Sequence, residues 1–234
     1  MKLAHYEPLS LADFPGRLAT TVFTVGCNFT CPYCHNPELV TTMGNTPQLA
    51  EETFFAFLEH RRGRLNGVCI TGGEPTLHAD LAGFVDRIRA LGYAVKLDTN
   101  GSNPEMLGRL LETSSLDYVA MDVKAPASRY SDVTGNPCAL ALVEISIRLL
   151  AEHDTVHEYR TTILPLLFTE TDIDNIALML PPGSCYVIQN FVPTKTLDPS
   201  LVHARGFEPG DLEMIADHMR LHYPFLHIST RGDI

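Results

Sequence analysis

Three cysteines within eight residues, Cys27, Cys31 and Cys34, constrain this chain more than any other feature. They are spaced C-x3-C-x2-C and follow directly on an apolar, β-branched run over 20–25. Three thiolates on one loop can hold three irons of a cubic [4Fe–4S] cluster, whereas most such clusters take four cysteines. A missing fourth ligand leaves one iron open to a substrate. The same logic separates open catalytic zinc sites from closed structural ones.

The other three cysteines, Cys69, Cys138 and Cys185, are scattered, which does not look like a disulfide framework and fits a reducing cytoplasm. Cys69 lies in an apolar run and reads as a small buried hydrophobe, and the same reading is preferred for the other two. A four-ligand zinc or structural cluster would need one of them. Cys31 and Cys34 also form a dithiol motif, and with His35 they fit C-x-x-C-H, a haem attachment pattern. A dithiol site should open a helix at its first cysteine, but Pro37 interrupts helical hydrogen bonding and Cys27 would have no role. Haem attachment needs export, and residues 1–16 show no basic segment followed by an apolar one. His35 reads as a neighbour of the ligands rather than as one of them.

The 234 residues, 45% of them hydrophobic, suffice for one sizeable core, so a single domain over 1–234 is expected. A net charge of −11 argues against a broad nucleic-acid surface, and no apolar run approaches a membrane span. Short apolar runs over 20–25, 67–71, 94–98, 118–123, 158–164 and 186–191 read as strands. Helical patterns over 51–62, 78–91, 104–112, 138–152, 170–180 and 209–222 alternate with them, and 226–229 reads as a short terminal strand. The alternation predicts an α/β fold with a parallel sheet and right-handed crossovers. Six βα units fall short of the eight of a closed barrel, so an open, partial (β/α)6 barrel of TIM type is expected.

Sites in such folds lie at the C-terminal ends of the strands. The polar signatures fall there: Cys27 after the first strand, Gly72-Gly73-Glu74-Pro75 after the second, Asp98-Thr99-Asn100-Gly101 at the third and Asp122-Val123-Lys124 at the fourth. Arg160 lies within the fifth strand and Asn190 near the end of the sixth. Burying Arg160 is costly without an anionic partner, and strand alternation leaves an outward salt bridge equally open.

The pattern C-x3-C-x-aromatic-C, with Tyr33 as the aromatic, together with Gly72-Gly73-Glu74 after the second strand, resembles the radical S-adenosylmethionine (radical SAM) superfamily. The resemblance implies that SAM chelates the open iron through its amino and carboxylate groups. A one-electron reduction then cleaves SAM to methionine and a radical that takes a hydrogen atom from the substrate. It implies further that Gly72 and Gly73 let the backbone approach the methionine part, that their carbonyls and the Glu74 carboxylate accept from its ammonium, and that Tyr33 lies against the adenine.

More narrowly, the chain resembles activators of glycyl-radical enzymes, and among them those of anaerobic ribonucleoside-triphosphate reductase. The stretches that carry this are Ser10-Leu11-Ala12-Asp13-Phe14-Pro15-Gly16, Cys34-His35-Asn36-Pro37-Glu38-Leu39, Asp98-Thr99-Asn100-Gly101, Met121-Asp122-Val123-Lys124 and Gln189-Asn190-Phe191-Val192-Pro193-Thr194-Lys195-Thr196-Leu197-Asp198-Pro199. The implied partners are a large glycyl-radical enzyme and a reductant such as flavodoxin or ferredoxin. Asp13 resembles an aspartate that holds the target glycine loop; its other reading is a turn former ahead of Pro15-Gly16. Asp98 and Asp122 resemble carboxylates bridged by a monovalent cation near the SAM carboxylate; such a cation, or Lys124, would relieve their repulsion. Lys124 and Arg160 would face the SAM carboxylate, and Lys195, assisted by Asn190, would replace a ribose-contacting histidine of a related activator. The absence of further C-x2-C runs fits an activator without added clusters.

Overall fold

Strands and helices alternate along the chain as the apolar runs require. The computed structural model, which describes residues 1–40, 48–113 and 115–232, contains one eight-stranded sheet whose spatial order repeats the order in sequence. β1 (Leu3–Ser10) pairs antiparallel with β2 (Ala19–Thr24). Then β3 (Gly67–Gly72), β4 (Ala94–Thr99), β5 (Tyr118–Asp122), β6 (His157–Ile163), β7 (Cys185–Asn190) and β8 (His227–Arg231) follow, each parallel to the last. β1 and β8 stand at the two ends of the sheet, so the barrel is open as expected.

It has one more parallel strand than the six units anticipated, because the terminal stretch forms β8 in full register with β7. β1 was not anticipated. It is largely solvent-facing and carries Pro8, which an edge strand tolerates because its outer side needs no continuous ladder; that side meets Leu49 in an isolated bridge at Leu3.

The helices are α1 (Pro37–Val40), α2 (Glu51–His60), α3 (Leu81–Ala90), α4 (Pro104–Glu112), α5 (Tyr130–Thr134), α6 (Ala139–Glu152), α7 (Glu170–Ala177) and α8 (Pro209–His222). α3 buries Leu81, Phe84, Val85 and Ile88, one stripe at helical spacing. The helix expected from residue 78 starts later. Glu74 accepts the Thr76 N–H and nucleates a 3-10 turn over Pro75–Leu77 instead.

Side-chain alternation divides each inner strand cleanly. Val68, Ile70, Val95, Leu97, Val119, Met121, Tyr186 and Ile188 are fully buried in the hydrophobic core. Burying each such aliphatic side chain stabilises by about 1.5–3 kcal/mol. The alternate set is mixed: it carries Cys69, Lys96, Asp98, Tyr118 and Asp122, together with the buried Ala120 and Val187. Parallel register sets Cys69, Lys96 and Tyr118 at one level and Asp122 beside Arg160 at another. A closed barrel of this kind ordinarily packs its interior with branched apolar side chains. Here Cys69 is buried as expected, but it faces the Lys96 ammonium at 3.8 Å rather than an apolar wall.

Two helix starts are capped by side chains. Asn103 accepts the Met106 N–H at 3.2 Å. Thr169 and Asp172 form a reciprocal capping box at the start of α7. Thr169→Ala should lower the unfolding free energy by about 1 kcal/mol. Urea titration checks this; an unchanged midpoint would show that the cap contributes nothing.

Candidate functional site

The cysteine loop leaves β2 through Gly26, whose φ of 97° only glycine adopts readily. Cys27, Cys31 and Cys34 then line a cavity of about 250 Å³ at the C-terminal ends of the strands. Tyr33, Gly72, Gly73, Glu74, Asp98, Asp122, Lys124 and Arg160 line the same cavity. Asp13, Asn190 and Lys195 do not.

The thiols are held apart from water. Burial pushes Cys27 up to about 12 and Cys31 up to about 11, and it raises Cys34 as well. The Lys124 ammonium works against the rise at all three. The free thiols are therefore protonated at neutral pH, and a bound metal must displace those protons. All six cysteines are free, and no fourth cysteine lines the cavity. Among the described residues, no three His, Cys, Asp or Glu side chains converge tightly enough for a single metal ion. The three sulfurs thus suit a cluster that takes one thiolate per iron, and not a mononuclear zinc site.

The glycines of the turn after β3 are dictated by backbone packing. A Cβ on Gly73 would lie 2.0 Å from the Gly26 carbonyl oxygen, and one on Gly72 would lie 2.3 Å from the Thr24 nitrogen. The Gly73 N–H donates to the Thr24 carbonyl at 2.9 Å and the Glu74 N–H to the Gly26 carbonyl at 2.8 Å. These contacts fuse the end of β3 to the root of the cysteine loop.

The Glu74 carboxylate is held by donors on both of its oxygens. Oε1 accepts from Thr76 N (3.0 Å), Thr76 Oγ1 (2.5 Å) and Thr99 Oγ1 (2.7 Å), and Oε2 accepts from Asn100 N (2.6 Å). Burial pushes this carboxyl up, and the donors only partly pull it back. Its visible role is to strap the turn after β3 to the end of β4.

Across the cavity runs a chain of alternating charges. Lys96, only 1% exposed, pairs with Asp98. Arg160 faces inward and joins Asp98 (3.4 Å) to Asp122 (2.9 Å), and Lys124 closes the chain on Asp122 (3.0 Å). Burial pushes Asp122 up, but Arg160 and Lys124 outweigh it and hold the carboxyl down at about 2. Burial likewise raises Asp98, and Arg160 and Lys96 bring it below its ordinary value. For Lys124, burial works downward and the Asp122 and Cys31 neighbours reverse it, so the net shift is upward. The carboxylate repulsion expected to need a bound cation or Lys124 is thus relieved by three side chains, with Arg160 in the bridging position. Lys96 was not anticipated, because no sequence signal distinguishes an inward lysine from a solvated one.

Tyr33 is buried, with its hydroxyl donating to the Lys124 carbonyl at 3.0 Å and its ring edge-on to Phe168. Asn190 clamps a neighbouring segment: Nδ2 donates to the Phe207 carbonyl (2.7 Å) and Oδ1 accepts the Phe207 N–H (2.8 Å). Lys195 reaches Glu38 at 3.2 Å in an exposed ion pair, of a kind worth little energetically. The segment after β7 covers the cysteine loop, with His35 stacked on Phe191 and bonded to the Val192 carbonyl, and Asp198 N–H donating to the Pro32 carbonyl. Asp13, in the turn before β2, accepts from Thr21 Oγ1.

Two outcomes follow from this geometry. Gly73→Ala should displace the cysteine loop or cost about 1–3 kcal/mol, because backbone on both sides must move; iron uptake and urea titration read the two effects, and unchanged values for both would refute the packing. The depressed Asp122 carboxyl contributes stability that is present above the ordinary value of 3.8 and lost as pH falls through about 2. Its share is about 2 kcal/mol. Unfolding free energies measured across that acid range should show a shallower fall for Asp122→Asn than for the wild type.

Residues 21–180 match the radical SAM superfamily. A Methanocaldococcus jannaschii protein named as a glycyl-radical enzyme activating enzyme is 32% identical over 209 residues, covering 81% of this chain and 80% of that protein. The pyruvate formate-lyase-activating enzyme of Listeria monocytogenes is 30% identical over 129 residues, 50% of this chain and 51% of that enzyme. Among solved structures, Streptococcus suis SuiB bound to S-adenosylmethionine superposes with a TM-score of 0.63 at 14% identity, over 89% of this chain and 47% of SuiB. The chain spans about half the length of SuiB, and at that identity the likeness is one of fold. The cysteine loop, the fused glycine turn and these matches lead to one conclusion: the chain belongs to the radical SAM superfamily.

Proposed function

We propose that this protein generates a glycyl radical on a partner enzyme, with anaerobic ribonucleoside-triphosphate reductase as the partner. When bound, a [4Fe–4S] cluster and SAM supply reductive C–S cleavage and hydrogen-atom abstraction. The observation that carries this reading is the cavity itself: three thiols, one buried and two half-buried, share it without a fourth cysteine but with paired carboxylates, a guanidinium and an ammonium.

Each residue has a task that its surroundings support. Cys27, Cys31 and Cys34 hold the cluster. The Gly72 and Gly73 carbonyls and the Glu74 carboxylate, which Thr99 and Asn100 hold in place, take the ammonium of the methionine part. Arg160 and Lys124 present positive charge to its carboxylate, and the Asp98 and Asp122 carboxylates keep both cations fixed and ionised. Tyr33 and Phe29 give that end of the cavity an apolar, water-excluding wall. Flavodoxin or ferredoxin delivers the electron.

The choice of a glycyl target rests on the relatives named for that activity and on Asp13 in its turn. The choice of anaerobic ribonucleotide reductase rests on the sequence stretches 98–101, 121–124 and 189–199. Asp13 takes the backbone of the target loop by exchanging its bond to Thr21 for one to a peptide N–H.

Anaerobically reconstituted protein, given dithionite, SAM and an anaerobic ribonucleotide reductase, should release 5′-deoxyadenosine and produce the doublet of a glycyl radical by electron paramagnetic resonance. Cys27→Ala should reduce both to background. Release of 5′-deoxyadenosine without a glycyl signal on any supplied glycyl-radical enzyme would sink the partner assignment, and no release at all would sink the whole reading.

A further inference from the structure

The side chain of Asn100 reaches one of the cysteine sulfurs. Asn100 is 5% exposed, and its backbone N–H is held by Glu74. Its Oδ1 accepts the Ser102 N–H at 2.9 Å, an Asx-type turn. That bond fixes which end of the amide is oxygen, since only the oxygen can accept. Nδ2 therefore faces the cysteine loop with two protons to place. One goes to Asn28 Oδ1 at 3.1 Å, and the other is directed at Cys27 Sγ at 3.8 Å. The Phe29 N–H approaches the same sulfur at 3.4 Å.

We propose that Asn100 is a positioning residue that raises the reduction potential of the cluster through an N–H···S bond to Cys27. This rests on the cluster reading above. Adding an electron to a cluster increases the negative charge on its sulfurs. A donor aimed at a ligating sulfur stabilises the reduced form more than the oxidised one, and burial leaves little water to screen the effect. The carboxamide cannot swing away, because its oxygen and its backbone are both tied. Glu74 links it to the glycine turn, so the sulfur donor and the cofactor turn are held as one unit.

The rival role is that Asn100 merely builds a turn, and the two roles predict opposite orders. Asn100→Asp keeps an oxygen for the Ser102 N–H but places a carboxylate oxygen against the sulfur. Asn100→Ala removes both. Redox titration of the reconstituted cluster without SAM, followed by electron paramagnetic resonance, should give midpoint potentials in the order wild type, then N100A, then N100D lowest. At the wild-type midpoint, the ratio of reduced to oxidised cluster should fall by about threefold or more in N100D.

A turn-building role would shift N100A and leave N100D at the wild-type value. That result, or one shared midpoint for fully loaded variants, overturns the proposal. Wild-type protein that takes up no cluster would instead defeat the proposed function, which is a separate outcome.

Discussion

The site depends on the close contact between two backbones, the end of β2 and the turn after β3. Gly72 and Gly73 lie so near Thr24 and Gly26 that neither position has room for a side chain. Two N–H···O bonds then lock the turn to the root of the cysteine loop. Glu74 extends the lock to β4 through Thr76, Thr99 and Asn100. Three successive strand ends thus become one rigid corner. A loop with three cysteines would otherwise pay a large entropic cost to order them, at about 1–2 kcal/mol for each backbone residue fixed.

The barrel interior divides its labour with the exterior. Outward residues such as Ile70, Leu97, Val119 and Ile188 bury apolar surface and supply the favourable free energy of folding. Inward residues at alternate positions carry charge. Buried ion pairs seldom stabilise a fold better than apolar side chains of similar volume. The chain Lys96–Asp98–Arg160–Asp122–Lys124 is therefore better explained by what it does to the cavity than by stability. Removing Asp98 takes the ion-pair partner from the buried Lys96, and removing Asp122 takes it from Lys124.

Much of this was legible in the sequence, and the reasons for the exceptions are physical. The cysteine spacing, the Gly-Gly-Glu turn and the inner strands are local signals, and the structure brings them together at one end of the barrel. The direction of Arg160 was not legible, because alternation fixes a strand's two faces relative to each other without saying which is inside. The hydrogen bonds of Glu74 were not legible, because their donors Thr99 and Asn100 lie at the end of another strand, 25 and 26 residues away. Nor were the contacts of Asn190 with Phe207 and of Lys195 with Glu38 in α1, which join parts of the chain that local spacing does not relate. β1 escaped notice because an exposed edge strand has little apolar periodicity to show.

Strand order that repeats sequence order has a chemical consequence. Each strand end delivers a different group to the rim: sulfur after β2, glycine backbone after β3, an amide and a carboxylate at β4, a carboxylate and an ammonium at β5, and a guanidinium from β6. Lys124 is near enough to the sulfurs to oppose the upward shifts of Cys27, Cys31 and Cys34. The ion-pair chain holds three cations against two carboxylates, although the whole protein carries −11. The cavity lining sets Lys124 and Arg160 against Glu74, Asp98 and Asp122, so those two cations are the groups that would meet an anionic group at that rim. Lys124 would also favour the added negative charge of a reduced metal–sulfur centre beside it. The electrostatics that would hold a carboxylate and those that would ease one-electron reduction thus meet at Lys124, so neither property can be altered there without disturbing the other.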